Sequence, residues 1–367
     1  MKIAIIGSRG IPNRYGGFEQ LAEKLSVGLS ERGHAVTVYN SHKHPYQQKY
    51  FKDVELIHCF DAEYRLGTAG QFIYDLNSIR DARKRGFDLL LFLGYTSSSV
   101  WGRLFPKNTL IISNMDGLEW ARKKYFRPTR QFLKYAEKLA VKYSDHLIAD
   151  SVIIRAYLEN KYRKDVSYIS YGAEIFIGET ETHLGTFNIV KHNYYMLMAR
   201  MEPENNIEMI LDGFRQSNSV KKMIVVGDTG NSFGRRMVKK FYGDRRILFT
   251  GPIYDCQVLH SMKLFSCMYF HGHSSGGTNP SLLEAMASRA LIAAHNNEFN
   301  RAVLHDDSFY FSSAIHVRDL ITSFEEGVSI GNKIANNLKK IEEQHNWSLI
   351  IEQYDTLLTK CYNQATQ

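Results

Sequence analysis

The sequence predicts two α/β domains, each built on a doubly wound parallel β-sheet with helices on both faces. Short apolar strands alternate repeatedly with helical segments, and this alternation is typical of parallel sheets. The alternation stops over residues 171–187, a segment rich in glycine, threonine and glutamate, and then starts again. The length of 367 residues also suits about two domains of roughly 150 residues each. We therefore expect a linker between two similar domains.

Strands are predicted in the first domain wherever a short run of apolar or β-branched residues occurs. These runs cover residues 2–6, 35–39, 54–59, 89–93, 110–113, 147–149 and 166–169. Apolar side chains recur at helical spacing from Phe18 to Leu29 and from Phe132 to Tyr143, which predicts a helix in each segment. Gly33 stands where the first of these helices needs its C-terminal cap.

The second domain repeats the pattern. Its predicted strands cover residues 194–199, 223–226, 247–250, 267–270, 291–294 and 309–311. Its predicted helices cover residues 207–216, 235–241, 256–263 and 280–287, and a last amphipathic helix covers 347–362. Ligands of parallel sheets bind at the carboxyl ends of the strands. We therefore expect the functional site in a cleft between two domains that face each other.

Composition excludes several classes of protein. A hydrophobic fraction of 44% and a charged fraction of 23% are ordinary for globular domains and unlike disordered or collagen-like chains. The apolar runs, such as residues 89–93, are far shorter than the about 20 residues of a membrane-spanning helix. The N-terminus is a strand that runs into a glycine turn rather than a signal peptide, and the four cysteines form no CxxC pair. We expect a cytoplasmic protein without a disulfide framework.

Residues 119–142 form a strongly basic segment. They contain eight basic residues and two acidic ones, a net charge of +6, which attracts phosphate groups. Tyr125, Tyr135 and Tyr143 lie among the basic residues, as in segments that bind a membrane interface. The segment therefore predicts contact with an anionic membrane surface, with a solvated helix face as the alternative. No RNA-binding motif accompanies it, so we expect no nucleic-acid partner.

A glycine-rich loop, residues 7–19, joins the first predicted strand to the first helix. It matches neither the GxGxxG nor the GxxxxGK pattern, so it predicts no dinucleotide site and no P-loop. Gly16 and Gly17 nevertheless place bare backbone at a helix N-terminus, where free N–H groups attract an anion or a sugar hydroxyl. The alternative is a tight structural turn.

A second loop, residues 271–279, follows a buried strand and leads into a helix. Its small residues, Gly277 among them, would let a diphosphate approach the backbone. Thr278 and Asn279 have side chains of the type that caps a helix N-terminus. Glu284 lies in the first turns of the helix, where its carboxylate can accept a hydrogen bond from a ribose hydroxyl. The alternative for Glu284 is a solvated position on the helix.

Asp116 directly follows a predicted strand, at the edge of the sheet where cleft residues lie. A carboxylate there can orient or deprotonate the hydroxyl of an acceptor. The alternative is a structural Asp-Gly turn. Glu119, Trp120 and Arg122 follow closely and would line the same side of the site.

Histidines occur in two pairs with one residue between them, His42 with His44 and His271 with His273. Neither pair has enough neighbouring ligands for a metal site, and the sequence contains no Asp-x-Asp. We therefore predict no metal and no cofactor. His273 is instead placed to donate a hydrogen bond to a phosphate or a sugar.

Four segments resemble those of glycosyltransferase family 4. Leu-Glu-Ala-Met-Ala at 283–287 is similar to the end of that family's donor-binding motif, and residues 198–210 are similar to its Gly-Arg-x-x-x-x-Lys-Asn segment. Val-Gly-Asp at 226–228 and Phe-Thr-Gly at 249–251 are similar to its next two strand ends. The resemblance covers nearly the whole chain and implies the GT-B fold, with two Rossmann-like domains facing a cleft.

The same resemblance implies how the chain is divided and what it does. Residues 1–175 would form an acceptor-side domain that a C-terminal helix, 347–367, completes. Residues 185–345 would bind the nucleotide sugar. The family's activity implies a metal-independent hexosyltransferase that moves a sugar from a nucleoside diphosphate to a hydroxyl and retains the configuration of the sugar.

Two segments of the first domain are more specific. Gly-Ser-Arg-Gly-Ile-Pro at 7–12 with Tyr-Gly-Gly-Phe-Glu at 15–19, and Met-Asp-Gly-Leu-Glu-Trp-Ala-Arg at 115–122, resemble rhamnosyltransferase-like enzymes of bacterial surface-polysaccharide assembly. That resemblance implies dTDP-rhamnose as the donor and a lipid-diphosphate-linked or growing glycan as the acceptor. It also implies a peripheral position at the inner face of the membrane.

Two positions depart from the family's pattern. Gly276 stands where the first of two paired glutamates belongs, and Asn205 stands where a diphosphate-binding lysine belongs. Arg200 remains as a phosphate ligand, and Arg9 or Arg14 could supply a second cation. The departures leave two alternatives open: a catalytically inactive GT-B protein that binds a glycan or a partner, and a nucleotide-sugar epimerase.

The predicted site has three groups of residues. The catalytic residues are Asp116, Arg200 and Glu284. The donor-binding residues are Gly16, Gly17, Arg200, Asn205, His273, Gly277, Thr278, Asn279 and Glu284. The acceptor-side residues are Asp116, Glu119, Trp120 and Arg122. The leaving diphosphate would be stabilised by Arg200, by backbone N–H groups near Gly277 and by the helix dipole behind them.

Overall fold

Two compact units make up the chain, whose computed structural model describes residues 1–14, 16–122, 125–178 and 181–366. The first unit comprises Met1–Ala121, Tyr125–Tyr171 and Trp347–Gln367, and the second comprises Gly172–Asn346 together with Arg122. The chain therefore leaves the first unit after Tyr171 and re-enters it at Trp347.

Over the described residues, the first unit is built on an eight-stranded sheet. Its strands are Lys2–Ile6 (β1), Ala35–Ser41 (β2), Tyr50–Phe51 (β3), Val54–Cys59 (β4), Leu89–Leu93 (β5), Leu110–Asn114 (β6), His146–Ala149 (β7) and Val166–Tyr168 (β8). They lie in the order β3-β4-β2-β1-β5-β6-β7-β8, and only β3 runs antiparallel to its neighbour. The predicted strands of this unit are confirmed, with small differences at their ends. β3 has only two residues, too few to produce a periodic pattern.

Helices connect these strands and cover both faces of the sheet. They are Gly17–Glu31 (α1), Glu63–Leu66 (α2), Gly70–Arg85 (α3), Arg127–Tyr143 (α4) and Val152–Tyr162 (α5). Gly33 has a φ of +85°, the left-handed conformation that ends a helix, as the sequence predicts. The sequence did not reveal α3 because this helix buries Asp75 and Ser78 as well as Tyr74, which interrupts its apolar pattern.

The second unit is built on a six-stranded sheet, again counted over the residues that the structure describes. Its strands are Tyr194–Met198 (β9), Lys222–Val226 (β10), Ile247–Gly251 (β11), Met268–His271 (β12), Ile292–His295 (β13) and Phe309–Phe311 (β14). They lie in the order β11-β10-β9-β12-β13-β14 and pair in parallel throughout. This is the Rossmann order, in which the connection reverses between the two central strands, β9 and β12. Each strand predicted for this unit is confirmed.

The helices of the second unit include two that the sequence predicts with the same bounds. They are Thr182–Gly185 (α6), Ile207–Gln216 (α7), Ser232–Phe241 (α8), Cys256–Leu264 (α9), Pro280–Ala287 (α10), Glu298–Leu304 (α11), Ala314–Glu325 (α12) and Lys333–Gln344 (α13). The two with matching bounds are α7 and α10. The sequence did not reveal α13, which buries only Asn337 and Ile341 and so has no broad apolar stripe.

The last helix, Trp347–Thr366 (α14), belongs to the first unit. Its buried Tyr354 accepts a hydrogen bond at the hydroxyl from Asn114 Nδ2, at 2.8 Å. A Cβ at Gly28 of α1 would lie 2.7 Å from Ile351 Cδ1, so the two helices approach closely only because residue 28 is glycine. The helix thereby packs against α1 and β6.

Candidate functional site

The two central strands of the second unit, β9 and β12, each end in a loop that carries predicted site residues. β9 leads into Arg200, and β12 leads into the loop at 272–279. Because these strands are neighbours at the position where the connection reverses, their loops meet where such sheets bind ligands; we call this the switch point of the second unit. Asn206 Nδ2 donates a hydrogen bond to Gly272 O at 2.7 Å, which joins the two loops.

Two glycines give the 272–279 loop its shape. A Cβ at Gly272 would overlap the backbone oxygen of Asn205, so no larger residue fits against the neighbouring loop. Gly276 has a φ of +111°, a conformation that residues with a side chain rarely adopt. The backbone of the loop therefore favours the glycine that stands where the family's pattern has a glutamate.

Helix α10 starts directly after this loop, and Asn279 caps it. The Asn279 Oδ1 accepts hydrogen bonds from Ser281 N at 2.9 Å and from Ser281 Oγ at 2.8 Å. Thr278, the preceding residue, is buried. The amino end of the helix carries a partial positive charge, which suits an anion bound against the small residues before it.

A buried lysine anchors Glu284. The Glu284 Oε2 accepts a hydrogen bond from Lys263 Nζ at 2.9 Å, and the Lys263 side chain is only 1% exposed. A buried ammonium group needs a charged partner, and Glu284 provides it. Glu284 is therefore held in place by an ion pair, while 29% of its side chain stays exposed.

His271 and His273 are both neutral at pH 7. Burial lowers the pKa of His271 to about 3, and the charge of Lys263 contributes. Burial also lowers the pKa of His273 to about 3, with contributions from His271 and from the positive charges of Arg122 and Arg200. Neither imidazole therefore supplies a positive charge for a phosphate.

The positive charges of Arg122 and Arg200 both lower the pKa of His273. The Arg200 side chain is exposed, and Arg122 is grouped with the second unit rather than with the other residues predicted on the acceptor side. Arg9 and Arg14 were the two candidates for a second cation. The Nε and Nη2 of Arg9 donate to the Glu63 carboxylate at 2.8 and 2.6 Å. The Arg9 guanidinium is thus engaged within the first unit.

Gly16 is the N-terminal cap residue of α1, and Gly17 is the first residue of the helix. A Cβ at Gly16 would lie 2.8 Å from Glu19 Oε2, so the glycine leaves room for this carboxylate to fold back over the helix end. Glu19 Oε1 also accepts a hydrogen bond from Arg9 N at 2.9 Å. A helix end already neutralised by a carboxylate suits a sugar hydroxyl better than an anion. Tyr15, in the same loop, lies outside the described residues.

Asp116 has both a structural and an electrostatic role. Its φ is +46° and its N–H donates to Asn114 Oδ1 at 3.0 Å, so it forms the turn that was the structural alternative. Its carboxylate also lies near Tyr171. Burial raises the pKa of Tyr171, and the negative charges of Asp116, Asp150 and Glu19 raise it further. Asp116 and Asp150 follow β6 and β7, and Glu19 lies in the first turn of α1, so all three are at the carboxyl end of the first unit's sheet.

Trp120 is held by Glu137, a residue that the sequence did not reveal as important. The Glu137 side chain is 1% exposed. Its Oε2 accepts a hydrogen bond from Trp120 Nε1 at 2.9 Å, and its Oε1 accepts from three groups on α5. These are Tyr157 OH at 3.0 Å, Lys161 Nζ at 2.6 Å and Tyr162 OH at 2.6 Å. The only signal in the sequence is that Tyr157 and Lys161 lie one helical turn apart, where they can share a partner.

The structure divides the predicted site residues between the two units. Those at the switch point of the second unit are Arg200, Asn205, His273, Gly277, Thr278, Asn279 and Glu284. Those in the first unit are Gly16, Gly17, Asp116, Glu119 and Trp120.

Two searches of the described residues bear on metals and membranes. Across those residues, no three His, Cys, Asp or Glu side chains are grouped so that they could hold a metal ion. In the same part of the chain, no helix is both long and apolar enough to cross a membrane.

Most of the first unit matches a protein family described as "Domain of unknown function (DUF1972)", over residues 1–88 and 100–174. No curated protein sequence matches the chain significantly. Solved structures, in contrast, match it over nearly its whole length.

A sucrose-phosphate synthase from Thermosynechococcus elongatus superposes with a TM-score of 0.83 at 16% identity, covering 99% of each chain. HepE from Anabaena, in complex with UDP-glucose, gives a TM-score of 0.74 at 15% identity and covers 98% of this chain and 99% of that chain. WaaG, a glycosyltransferase involved in lipopolysaccharide biosynthesis, gives 0.73 at 12% identity over 98% and 100% of the two chains. With its two parallel-sheet α/β units, the chain therefore has the predicted GT-B fold.

Proposed function

We propose that this chain is a retaining, metal-independent glycosyltransferase that moves a sugar from a nucleoside diphosphate to a hydroxyl of a bacterial glycan. The observation that carries the proposal is the switch point of the second unit. There Arg200 and the amino end of α10 suit a diphosphate, and the anchored Glu284 suits a ribose hydroxyl. The proposal is supported by HepE, a structure of similar fold that contains UDP-glucose.

The chemistry would be mainly electrostatic. The leaving diphosphate gains negative charge as the glycosidic bond breaks, and preformed positive groups stabilise it. Arg200, Arg122 and the backbone N–H groups near Gly277 would provide this stabilisation without a metal ion. Loss of one such group costs about 3 kcal/mol, or roughly two orders of magnitude in rate.

The acceptor would bind to the first unit. Asp116 would orient the attacking hydroxyl, and Glu119 and Trp120 would line the same region. Glu137 would keep Trp120 in one orientation through the 2.9 Å hydrogen bond to its indole nitrogen.

Substitutions at the two groups that face the donor test the site. We expect Arg200→Ala and Glu284→Ala each to reduce transfer about 100-fold, as loss of a charge-stabilising group does in other enzymes. Arg245→Ala is the matched control, because Arg245 is also an exposed arginine of the second unit but lies outside the site. Parental activity in both site variants would refute the assignment.

dTDP-rhamnose is the donor we propose, with a lipid-linked or growing glycan as acceptor, on the resemblance of residues 7–19 and 115–122 to rhamnosyltransferase-like enzymes. A thermal-shift panel of nucleoside diphosphates and their sugars tests the donor. A ligand at about 100 times its Kd adds ~2.7 kcal/mol of stability. If another nucleotide sugar gives the largest shift in Tm, that sugar replaces dTDP-rhamnose as the proposed donor.

Incubation of the protein with the same nucleotide sugars, with and without a glycan acceptor, followed by analysis of the products, separates the alternatives. A catalytically inactive protein would bind a nucleotide sugar without releasing the nucleoside diphosphate. An epimerase would convert the donor without any acceptor. Release of nucleoside diphosphate that depends on an added glycan acceptor supports the transferase over both.

Helix α4 is the part of the first unit that we propose to contact an anionic membrane at its cytoplasmic face. Phe126, immediately before the helix, is 83% exposed, and Tyr135 is 56% exposed. Arg127, Lys138 and Lys142 are exposed along the same helix. Aromatic side chains beside a basic stripe suit the boundary between lipid headgroups and acyl chains.

Charge reversal tests this contact. Glutamate at Arg127, Lys138 and Lys142 should abolish sedimentation with vesicles that contain phosphatidylglycerol, since each basic residue near such a surface contributes about 1 kcal/mol. The matched control reverses Lys239, Arg245 and Lys339, three exposed residues of the second unit. Unchanged sedimentation of the α4 variant would support the alternative, in which the basic face of the helix is solvated and contacts no membrane. Lys123 and Lys124, in the same basic segment, lie outside the described residues.

A further inference from the structure

Two aromatic side chains lie face to face where strands β2 and β4 end. The last residues of these neighbouring parallel strands are paired partners, so the residues that follow them, His42 and Phe60, lie side by side. Their rings stack with centroids 4.9 Å apart and planes 29° apart. Tyr64, on the short helix α2, adds a third ring whose centroid is 6.1 Å from that of His42. We call His42, Phe60 and Tyr64 the aromatic platform.

The aromatic platform is exposed at the edge of the sheet where ligands bind. Phe60 is 50% exposed and Tyr64 is 53% exposed. Single exposed apolar side chains are ordinary, whereas several in contact are typical of a binding surface. Both strands end at the carboxyl edge of the first unit's sheet, and parallel α/β sheets bind their ligands at this edge.

Buried Asp61 holds the aromatic platform in one conformation. The Asp61 Oδ2 accepts a hydrogen bond from Ser41 Oγ at 2.8 Å, and the Asp61 N–H donates to His42 Nδ1 at 2.9 Å. A backbone N–H can only donate, so Nδ1 of His42 is unprotonated and the proton of the ring is on Nε2. His42 Nε2 is therefore a hydrogen-bond donor, and within the described part of the chain it has no acceptor.

Two cations lie at the Tyr64 ring. Lys43 Nζ is 5.0 Å and the guanidinium carbon of Arg65 is 5.3 Å from the ring centroid. Both side chains are exposed, and neither forms an ion pair with an acid among the residues that the structure describes. Glu63, two residues before Arg65, is instead paired with Arg9 at 2.6 Å. The two cations therefore attract a negatively charged group of a ligand.

These features together suit an acidic sugar. An exposed aromatic ring can pack against the apolar face of a sugar ring, the N–H of His42 can donate to a sugar oxygen, and the cations can pair with a carboxylate or phosphate substituent. A membrane surface fits less well, because Phe60 is packed against His42 in loops at the ligand-binding edge of the sheet. Phe126, in contrast, stands before a helix with 83% of its side chain exposed.

The strand order separates the aromatic platform from Asp116. Asp116 follows β6, and β4 is four strands away from β6 in the sheet. At ~4.8 Å between neighbouring strands, the separation is about 19 Å. One sugar ring is much shorter than this distance. A glycan whose end lies at Asp116 therefore needs several sugars to reach the aromatic platform.

We propose that the aromatic platform, together with Lys43 and Arg65, binds an acidic sugar of the acceptor glycan, several sugars away from the hydroxyl that receives the new one. The inference rests on the proposed function, because it takes the acceptor of this chain to be a glycan. It narrows that acceptor to a growing, negatively charged chain rather than a first sugar on its carrier.

Binding of the full chain to immobilised oligosaccharides tests the aromatic platform without any donor. The probes are acidic and neutral oligosaccharides of bacterial surface polysaccharides, in short and long chains. We expect long acidic probes to bind more tightly than neutral probes of the same length. Phe60→Ala and the double variant Lys43→Ala/Arg65→Ala should each weaken this binding about tenfold, since each removes a contact with the sugar.

Matched controls come from exposed residues of the second unit. Tyr242→Ala removes an exposed aromatic ring, and Lys239→Ala/Arg245→Ala removes two exposed cations. Both control variants should bind the long acidic probes as the parent protein does. A transfer assay adds the dependence on acceptor length: Phe60→Ala should raise the KM of a long acceptor about tenfold more than the KM of a one-sugar acceptor.

The outcomes separate the inference from the function beneath it. Parental glycan binding in Phe60→Ala and in the Lys43/Arg65 double variant would overturn the inference alone. Loss of sedimentation with phosphatidylglycerol vesicles in these variants, without a change in glycan binding, would make the platform a membrane contact and also overturn it. Failure of every nucleotide sugar to support transfer would overturn the proposed function, while glycan binding to the platform would still stand.

Discussion

The Lys263–Glu284 pair predicts an asymmetric loss of stability. The two side chains are 1% and 29% exposed, and Nζ lies 2.9 Å from Oε2. Glu284→Gln would leave an ammonium group buried without a charge partner. Lys263→Met would leave a carboxylate that water still reaches, and methionine would fill the space of the lysine stem. The loss from Glu284→Gln should therefore be much the larger.

The expected magnitudes follow from the burial of each group. Removal of one partner from a buried pair costs about 3–5 kcal/mol, whereas a partly exposed charge left unpaired costs about 1 kcal/mol. A domain of this size loses roughly 2–4 °C in Tm for each kcal/mol. We expect Glu284→Gln to lower the Tm of the second unit by roughly 6–20 °C and Lys263→Met by roughly 2–4 °C.

Differential scanning calorimetry at pH 7 measures both losses, together with the double variant Lys263→Met/Glu284→Gln. The double variant should resemble the milder single variant, because no unpaired charge remains. A larger loss in Lys263→Met than in Glu284→Gln would refute the reasoning. So would losses that simply add in the double variant, since additive losses mean that the two side chains do not interact.

Four further predictions concern single residues. The unfolded chain binds a proton on His271 near its ordinary pKa of about 6.5, whereas in the folded protein this pKa is about 3, so His271 alone should lower stability by roughly 2–3 kcal/mol between pH 6.5 and 4.5. His273 has a similarly low pKa, so His271→Leu should remove only the share of His271 from the pH dependence in urea titrations. Tyr95→Phe removes a buried hydroxyl that has no hydrogen-bond partner among the described residues, so Tm should stay the same or rise, and a lower Tm would contradict this. Glu137→Gln should lower the free energy of unfolding of the first unit by about 2 kcal/mol and change the tryptophan emission, because the partner of Trp120 changes. Gly276→Ala should cost about 1 kcal/mol in urea unfolding, because its φ is +111°.

The sheets could be predicted from the sequence because burial leaves a local pattern. Every residue of β5 is buried, so the strand is an uninterrupted apolar run. Asn279 could be predicted as a cap because capping depends on residues only a few positions apart. These features need no knowledge of distant parts of the chain.

The polar contacts of the site could not be predicted because they join distant residues. Lys263 looks like an ordinary surface residue of a helix until Glu284 is placed against it. Asn205 lies 68 residues before His273 in sequence, and only the parallel pairing of β9 with β12 brings their loops together. The contacts of Glu137 could not be predicted for the same reason, because its partners come from two other segments.

The two positions that differ from the family 4 pattern, Asn205 and Gly276, lie beside the same side chain. Asn205 contacts His273 at Nδ1, and Gly276 lies beside the same ring at Nε2. Loss of a lysine at one position and a glutamate at the other removes one positive and one negative charge, so the net charge around the ring is the same. The Lys263–Glu284 ion pair is also present in the same unit. Our proposal is therefore that the two differences alter the choice of sugar, and acceptor-dependent release of the nucleoside diphosphate separates this from an inactive protein.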